Sequence, residues 1–169
     1  MTRLPASKEA AMSEQPAWVA IERTFNAPIE TVWNMWATSD GFASWYGPQG
    51  ASIPTCNMDV QVGGKRLVCM EMQTPNGEMQ MWFAGEFTEV TPMTKLVYTE
   101  MMADADGNPT PPEAMGMPEG TDMTTSVVVE LEDLDGSTKM SMTHVGVPAD
   151  SPGGQGWEMA IGKLEAALG

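Results

Sequence analysis

The sequence predicts an α+β fold: an antiparallel sheet of about six to seven strands packed against a long C-terminal helix, with two short helices after the first strand. Two dipeptides predict the sheet. Asn76-Gly77 and Asp135-Gly136 each stand between runs of alternating apolar and polar residues, the pattern of hairpins closed by two-residue turns. A third observation predicts the helix: Trp157, Ile161, Leu164 and Leu168 recur at helical spacing, an apolar stripe that must cover something.

Taken in order, residues 1 to 16 mix small, polar and charged types without periodicity, and we expect a disordered arm there. Residues 17–169 are expected to form one domain, since 169 residues leave too little chain for two separate cores. The run WVAIERTF, residues 18 to 25, suits a first strand. Pro28 then opens a helix whose stripe is Ile29, Val32, Trp33 and Trp36, with Met35 off the stripe. Ser39 or Asp40 caps a shorter helix through FASWY, and Gly47-Pro48 stops it.

Each hairpin assigns side chains to faces. A two-residue turn at Asn76-Gly77 sets Met72 against Met81, Met70 against Phe83 and Val68 against Gly85. The same register puts Glu71 beside Trp82 and Leu67 beside Glu86 on the opposite face. At Asp135-Gly136 the pairs are Leu131 with Met140, Val129 with Met142 and Val127 with His144, supported by Glu132 opposite Lys139. Both hairpins thus carry one apolar face rich in methionine. Gly63-Gly64 leaves two registers open. An unbulged turn pairs Gln61 with Arg66, Asp59 with Val68 and Met58 with Cys69, placing polar groups on the face of Met70; a bulge at the glycines shifts this. In the unbulged register Cys56 lies one diagonal from Cys69, about 7–8 Å away, too far for a disulfide. A further strand spans Lys95 to Met102. Residues 103 to 123, dense in Gly, Pro and acids, form either a mobile lid or a surface insertion, and Asp104, Asp106 and Asn108 lack the spacing of a calcium loop.

Composition excludes several functions. The net charge of −15, from 8 basic and 23 acidic residues, opposes nucleic acid and anionic bilayers. No stretch approaches the roughly 20 apolar residues that a membrane span requires, and the N-terminus lacks a secretory signal core. A cytoplasmic protein with reduced thiols is expected. Metal and phosphate motifs are absent: there is one histidine, and neither HExxH, CxxC nor GxGxxG spacing. We therefore expect no cofactor and no metal.

What remains is methionine, 17 residues of it. Met70, Met72, Met79, Met81, Met140 and Met142 share the apolar face; their flexible, polarizable side chains suit a wall that adapts to irregular guests, or simply a core. His144 sits on that face and is the candidate acid or base, given a polar neighbour; Asp59, Glu100 and Tyr98 are the candidates for it.

The element order and the segments FNAPIETVWNMWATSDGFASWYGP (25–48), DVQVGG (59–64), GEFTEVTPMTKLVYT (85–99), STKMSMTHVGVP (137–148) and GWEMAIGKLEAAL (156–168) resemble the SRPBCC superfamily. Within it the match is to the branch homologous to the activator of the Hsp90 ATPase. Trp45-Tyr46-Gly47-Pro48 and Gly156-Trp157 are the more specific elements. Gln61 departs from the pattern, standing where the family usually has a basic residue. The resemblance implies a helix-grip fold, START-like, in which a curved sheet grips the last helix around an apolar cavity. It implies a small-molecule binding module for an apolar or amphipathic ligand, lined by Trp45, Val68, Met70, Met72, Met81, Phe83, Val129, Met142, His144, Trp157 and Ile161. Two alternatives stay open: an enzyme of the cyclase, aromatase or dehydratase type using His144, and a chaperone ATPase-activator-like interaction domain. A chaperone or a second copy in a homodimer is the corresponding macromolecular partner.

Overall fold

The computed structural model describes residues 17–168, so the expected N-terminal arm lies outside the described residues. Strand β1 (Trp18–Phe25) is followed by helices α1 (Ile29–Ala37) and α2 (Ser39–Ala43). Strands β2 (Ser52–Met58), β3 (Lys65–Thr74), β4 (Gly77–Thr91), β5 (Lys95–Ala103), β6 (Thr125–Asp133) and β7 (Thr138–Pro148) come next, and helix α3 (Pro152–Leu168) closes the chain. They form one curved antiparallel sheet in the order β1-β7-β6-β5-β4-β3-β2. This is the α+β, helix-grip architecture expected. The chain leaves β1 at one edge, passes through α1 and α2 to β2 at the other, and meanders back until β7 lies beside β1.

The stripe Ile29, Val32, Trp33 and Trp36 is buried, as the spacing requires. Pro28 is the cap rather than the first helical residue, and its carbonyl accepts from Val32 N at 3.2 Å. Thr38, not Ser39 or Asp40, caps α2: its Oγ1 accepts from Gly41 N at 3.0 Å. Helix α2 ends at Ala43, so Trp45 and Tyr46 lie beyond it. Helix α3 starts at Pro152, one turn before Gly156, with Ser151 Oγ accepting from Gly154 N at 3.3 Å. It buries Trp157, Ala160, Ile161 and Leu164, and Ile161 and Leu164 each contribute about 1.5–3 kcal/mol.

The β6–β7 register is the expected one, pairing Leu131 with Met140, Val129 with Met142, Val127 with His144 and Glu132 with Lys139. Asp135 and Gly136 take φ of 67° and 106°, the positive values that a two-residue hairpin of this kind needs. The β3–β4 hairpin is displaced by two residues. Its turn residues are Pro75 and Asn76, with Thr74 paired to Gly77, so Met72 faces Met79, Met70 faces Met81 and Val68 faces Phe83. Pro75 fixes a negative φ and suits the second position of an ordinary turn, with glycine at the fourth; Gly77 supplies φ of 110°. Thr74 Oγ1 accepts from Asn76 N at 3.2 Å and donates to Gly77 O at 2.6 Å. Because the displacement is even, the inward set of side chains is unchanged. On the outer face Glu71 meets Gln80 and Leu67 meets Ala84 instead of Trp82 and Glu86.

The β2–β3 connection takes neither simple form. Residues 59–64 make a longer loop: Asp59 N donates to Lys65 O, Gly64 N to Gln61 O and Gly63 N to Phe87 O. Met58 then pairs with Arg66 and Cys56 with Val68. Asp59 and Gln61 thereby leave the sheet, and Arg66 shares the face of Val68 and Met70. Cys69 stands opposite Thr55, and both thiols are free.

Candidate functional site

Alternation along the strands lays an apolar field over the inner face: Val19, Ile21, Phe25, Leu96, Val127, Val129, Met140 and Met142 are all buried. One transverse row interrupts it with polar groups. Arg66 on β3 pairs with Gly85 on β4, Glu100 on β5 pairs with Thr125 on β6, and His144 on β7, paired with Val127, lies diagonal to Thr125. Gly85 is required within this row, because a Cβ there would collide with the Thr99 carbonyl oxygen of β5.

The row is wired into the helices. Trp157 Nε1 donates to His144 Nδ1 at 2.9 Å. An indole N–H can only donate, so Nδ1 carries the lone pair and Nε2 the proton. That proton faces Thr125 Oγ1 at 2.8 Å, and the threonine hydroxyl donates onward to the Glu100 carbonyl at 3.1 Å. Burial lowers the His144 pKa below the ordinary imidazole value, partly countered by Glu100 and aided by Arg66. Glu100 receives Arg66 Nη1 and the Tyr46 hydroxyl at 3.5 Å each, and His144 Nε2 lies 3.8 Å away. Arg66 itself is buried, its guanidinium 3.9 Å over the Tyr98 ring and 5.2 Å over Phe42. Burial also raises the Tyr46 and Tyr98 phenols, keeping both protonated.

Between this row and α3 lies a cavity of about 440 Å³, lined by Tyr46, Gly47, Pro48, Met70, Met72, Met81, Phe83, Glu100, His144, Val147, Pro152, Gly153, Gly156, Trp157 and Ala160. Six of the sequence candidates line it: Met70, Met72, Met81, Phe83, His144 and Trp157. Five do not: Trp45, Val68, Val129, Met142 and Ile161 are buried in the core behind or beside the wall. Trp45 packs edge-on against Trp36 at 4.7 Å and donates its indole N–H to Met35 O at 2.8 Å, which fixes it among aromatic rings. Val68, Val129, Met142 and Ile161 join the same continuous core cluster. Met79 shares the methionine face but lies next to the hairpin turn and is 43 % exposed.

Of the proposed neighbours of His144, Glu100 is brought to it, Tyr98 stacks behind Arg66, and Asp59 stands exposed in the loop. No residue of 103–123 lines the cavity; Asp104 there folds its own loop, accepting from Asp106 N and Asn108 N at 2.9 Å each. The sequence reading missed Tyr46, Gly47 and Pro48, which Lys163 ties to α3 through their backbone, its Nζ donating to Tyr46 O at 3.4 Å and Pro48 O at 3.2 Å. A larger groove of about 780 Å³ runs past Lys65, Leu67, Ala84 and Glu86. Lys65 and Glu86, cross-strand neighbours that both line it, are ion-paired at 2.8 Å with both side chains substantially exposed, so it is surface relief rather than an enclosed site.

The family model described as Activator of Hsp90 ATPase homolog 1-like protein matches residues 26–169. The chain belongs to that family. Among solved structures, a Mycobacterium smegmatis protein is 22% identical, covering 89% of each chain with a TM-score of 0.70. An Arthrobacter aurescens protein is 25% identical over 88% of this chain and 84% of its own, with a TM-score of 0.67. A Silicibacter pomeroyi protein of the same family is 20% identical over 90% of this chain and 97% of its own, with a TM-score of 0.66. None of the curated proteins matches. In this family member the sheet and the last helix flank the cavity just described.

Proposed function

We propose that this family member is a binding module for a small apolar or amphipathic molecule held between the sheet and α3. The observation that carries the reading is the cavity itself. Its wall is built mainly of Met70, Met72, Met81, Phe83, Val147, Trp157 and Ala160, and a few polar groups converge at Glu100 and His144, the usual make-up of a small-molecule site. Thioether side chains on three positions of that wall let it adapt to a guest at little strain. The free cysteines Cys56 and Cys69 support a reducing, cytoplasmic setting.

The acid-base reading of His144 has weaker support. Its Nδ1 lone pair is occupied by the Trp157 indole and its Nε2 proton by Thr125, so neither nitrogen is free toward the cavity. Titration with a neutral environment-sensitive dye tests the binding reading. Saturable binding to the folded protein is expected, and native mass spectrometry should show any co-purified guest; a dye signal that never saturates would refute it.

A further inference from the structure

Resting on that reading, we propose that the cavity selects a neutral molecule whose buried end is a hydrogen-bond donor, an alcohol or phenol, and rejects carboxylates of the same shape. Glu100 decides this. It is the cavity-lining group with unspent hydrogen-bonding capacity: its side chain is 8% exposed, yet its three polar neighbours stand at 3.5, 3.5 and 3.8 Å. Charge-assisted bonds to a carboxylate ordinarily close to about 2.5–2.9 Å. A buried carboxylate accepts through about four lone-pair sites, and here none is met at close range. A guest hydroxyl would meet that capacity directly.

The charge of the site points the same way. Arg66 balances Glu100 but is absent from the cavity lining, with a side chain fully shielded from solvent and stacked on Tyr98. A guest therefore meets the carboxylate and not the guanidinium. Tyr46 already directs its hydroxyl at Glu100, and His144 is committed to Trp157 and Thr125. Among the described residues neither Lys nor Arg lines the cavity. An anionic head placed beside Glu100 would face like charge in a desolvated site, which is unfavourable. A cationic head would meet a Glu100 charge already balanced by Arg66 at 3.5 Å, so the neutral donor is the complementary partner.

The test is displacement of Nile red from the full chain by three molecules with one tail: 4-hexylphenol, hexylbenzene and 4-hexylbenzoate, at pH 7.5. We expect the phenol to displace the dye at a concentration roughly tenfold or more below either of the others. For Glu100→Gln, which removes the charge and keeps an acceptor, the gap between phenol and benzoate should narrow at least about fivefold. Because that variant strips Arg66 of its partner, its folding is checked by thermal melting, and the wild-type series decides alone if it does not fold. Benzoate equal to or better than phenol overturns the proposal, as does hexylbenzene equal to phenol, or a bound dye that none of the three displaces; in each case the apolar cavity still stands. Failure of Nile red itself to bind overturns the cavity reading and this proposal together.

Discussion

His144 shows how one side chain links burial to acid stability. Its native pKa is depressed chiefly by desolvation, with Glu100 on β5 raising it and Arg66 on β3 lowering it, while Trp157 and Thr125 are neutral. In the unfolded chain the imidazole titrates near about 6.5. Unfolded protein therefore binds the proton more readily, and stability declines as pH falls through that value until the native imidazole itself protonates. His144→Gln, whose amide oxygen can still accept from Trp157, removes the titrating group. Thermal midpoints between about pH 7 and 5.5 should fall less steeply for the variant than for the wild type; identical slopes would contradict the assignment. Gly85 makes a second prediction at this scale. Gly85→Ala drives a Cβ into the Thr99 carbonyl, a backbone group that cannot swing aside, and should cost about 2–4 kcal/mol in urea unfolding. A loss within experimental error would mean that β4 and β5 separate easily beside the polar row.

At the scale of elements, α3 is held by the side chains it presses onto the sheet. Leu164 is fully buried in the core cluster, and Leu164→Ala should cost about 2–5 kcal/mol, read as a lower denaturation midpoint at unchanged slope. The elements were legible from the sequence to different degrees, each for a local reason. Asp135-Gly136 could be read to the residue because both positions accept positive φ and no neighbour competes. The turn expected at Asn76-Gly77 lies one residue earlier because Pro75 captures it, which shifts each cross-strand partner by two, and the alternation of faces survives only because that shift is even. The loop at 59–64 was beyond pattern reading, since its amides find partners on β3 and β4 as well as within the loop. The apolar wall of the candidate site followed from alternation. Glu100 was read as one of three candidate neighbours of His144 and stands beside it; Arg66 was not, because a single Arg in a strand reads as surface, and only the bare backbone of Gly85 lets it meet Glu100 on the inner face.

At the scale of the molecule, the fold and the family are established and the ligand is an inference from the cavity. Solved relatives share the architecture at 18–25% identity, and fold alone does not specify a guest. The charge of −15 disfavours polyanionic partners and leaves the interior chemistry untouched. Occupancy of the space between sheet and α3 is therefore the claim on which the account depends. Gly156 lines that space, and a Cβ built there meets nothing within 4 Å. Replacing a helical glycine favours the helix by up to about 1 kcal/mol, so Gly156→Leu should fill the cavity without unfolding the protein. The deciding measurement is Nile red binding to wild type and Gly156→Leu, with their melting temperatures taken side by side. The account predicts saturable binding by wild type and its loss in a variant that melts at the same temperature or higher; undiminished binding by an equally stable Gly156→Leu would contradict it.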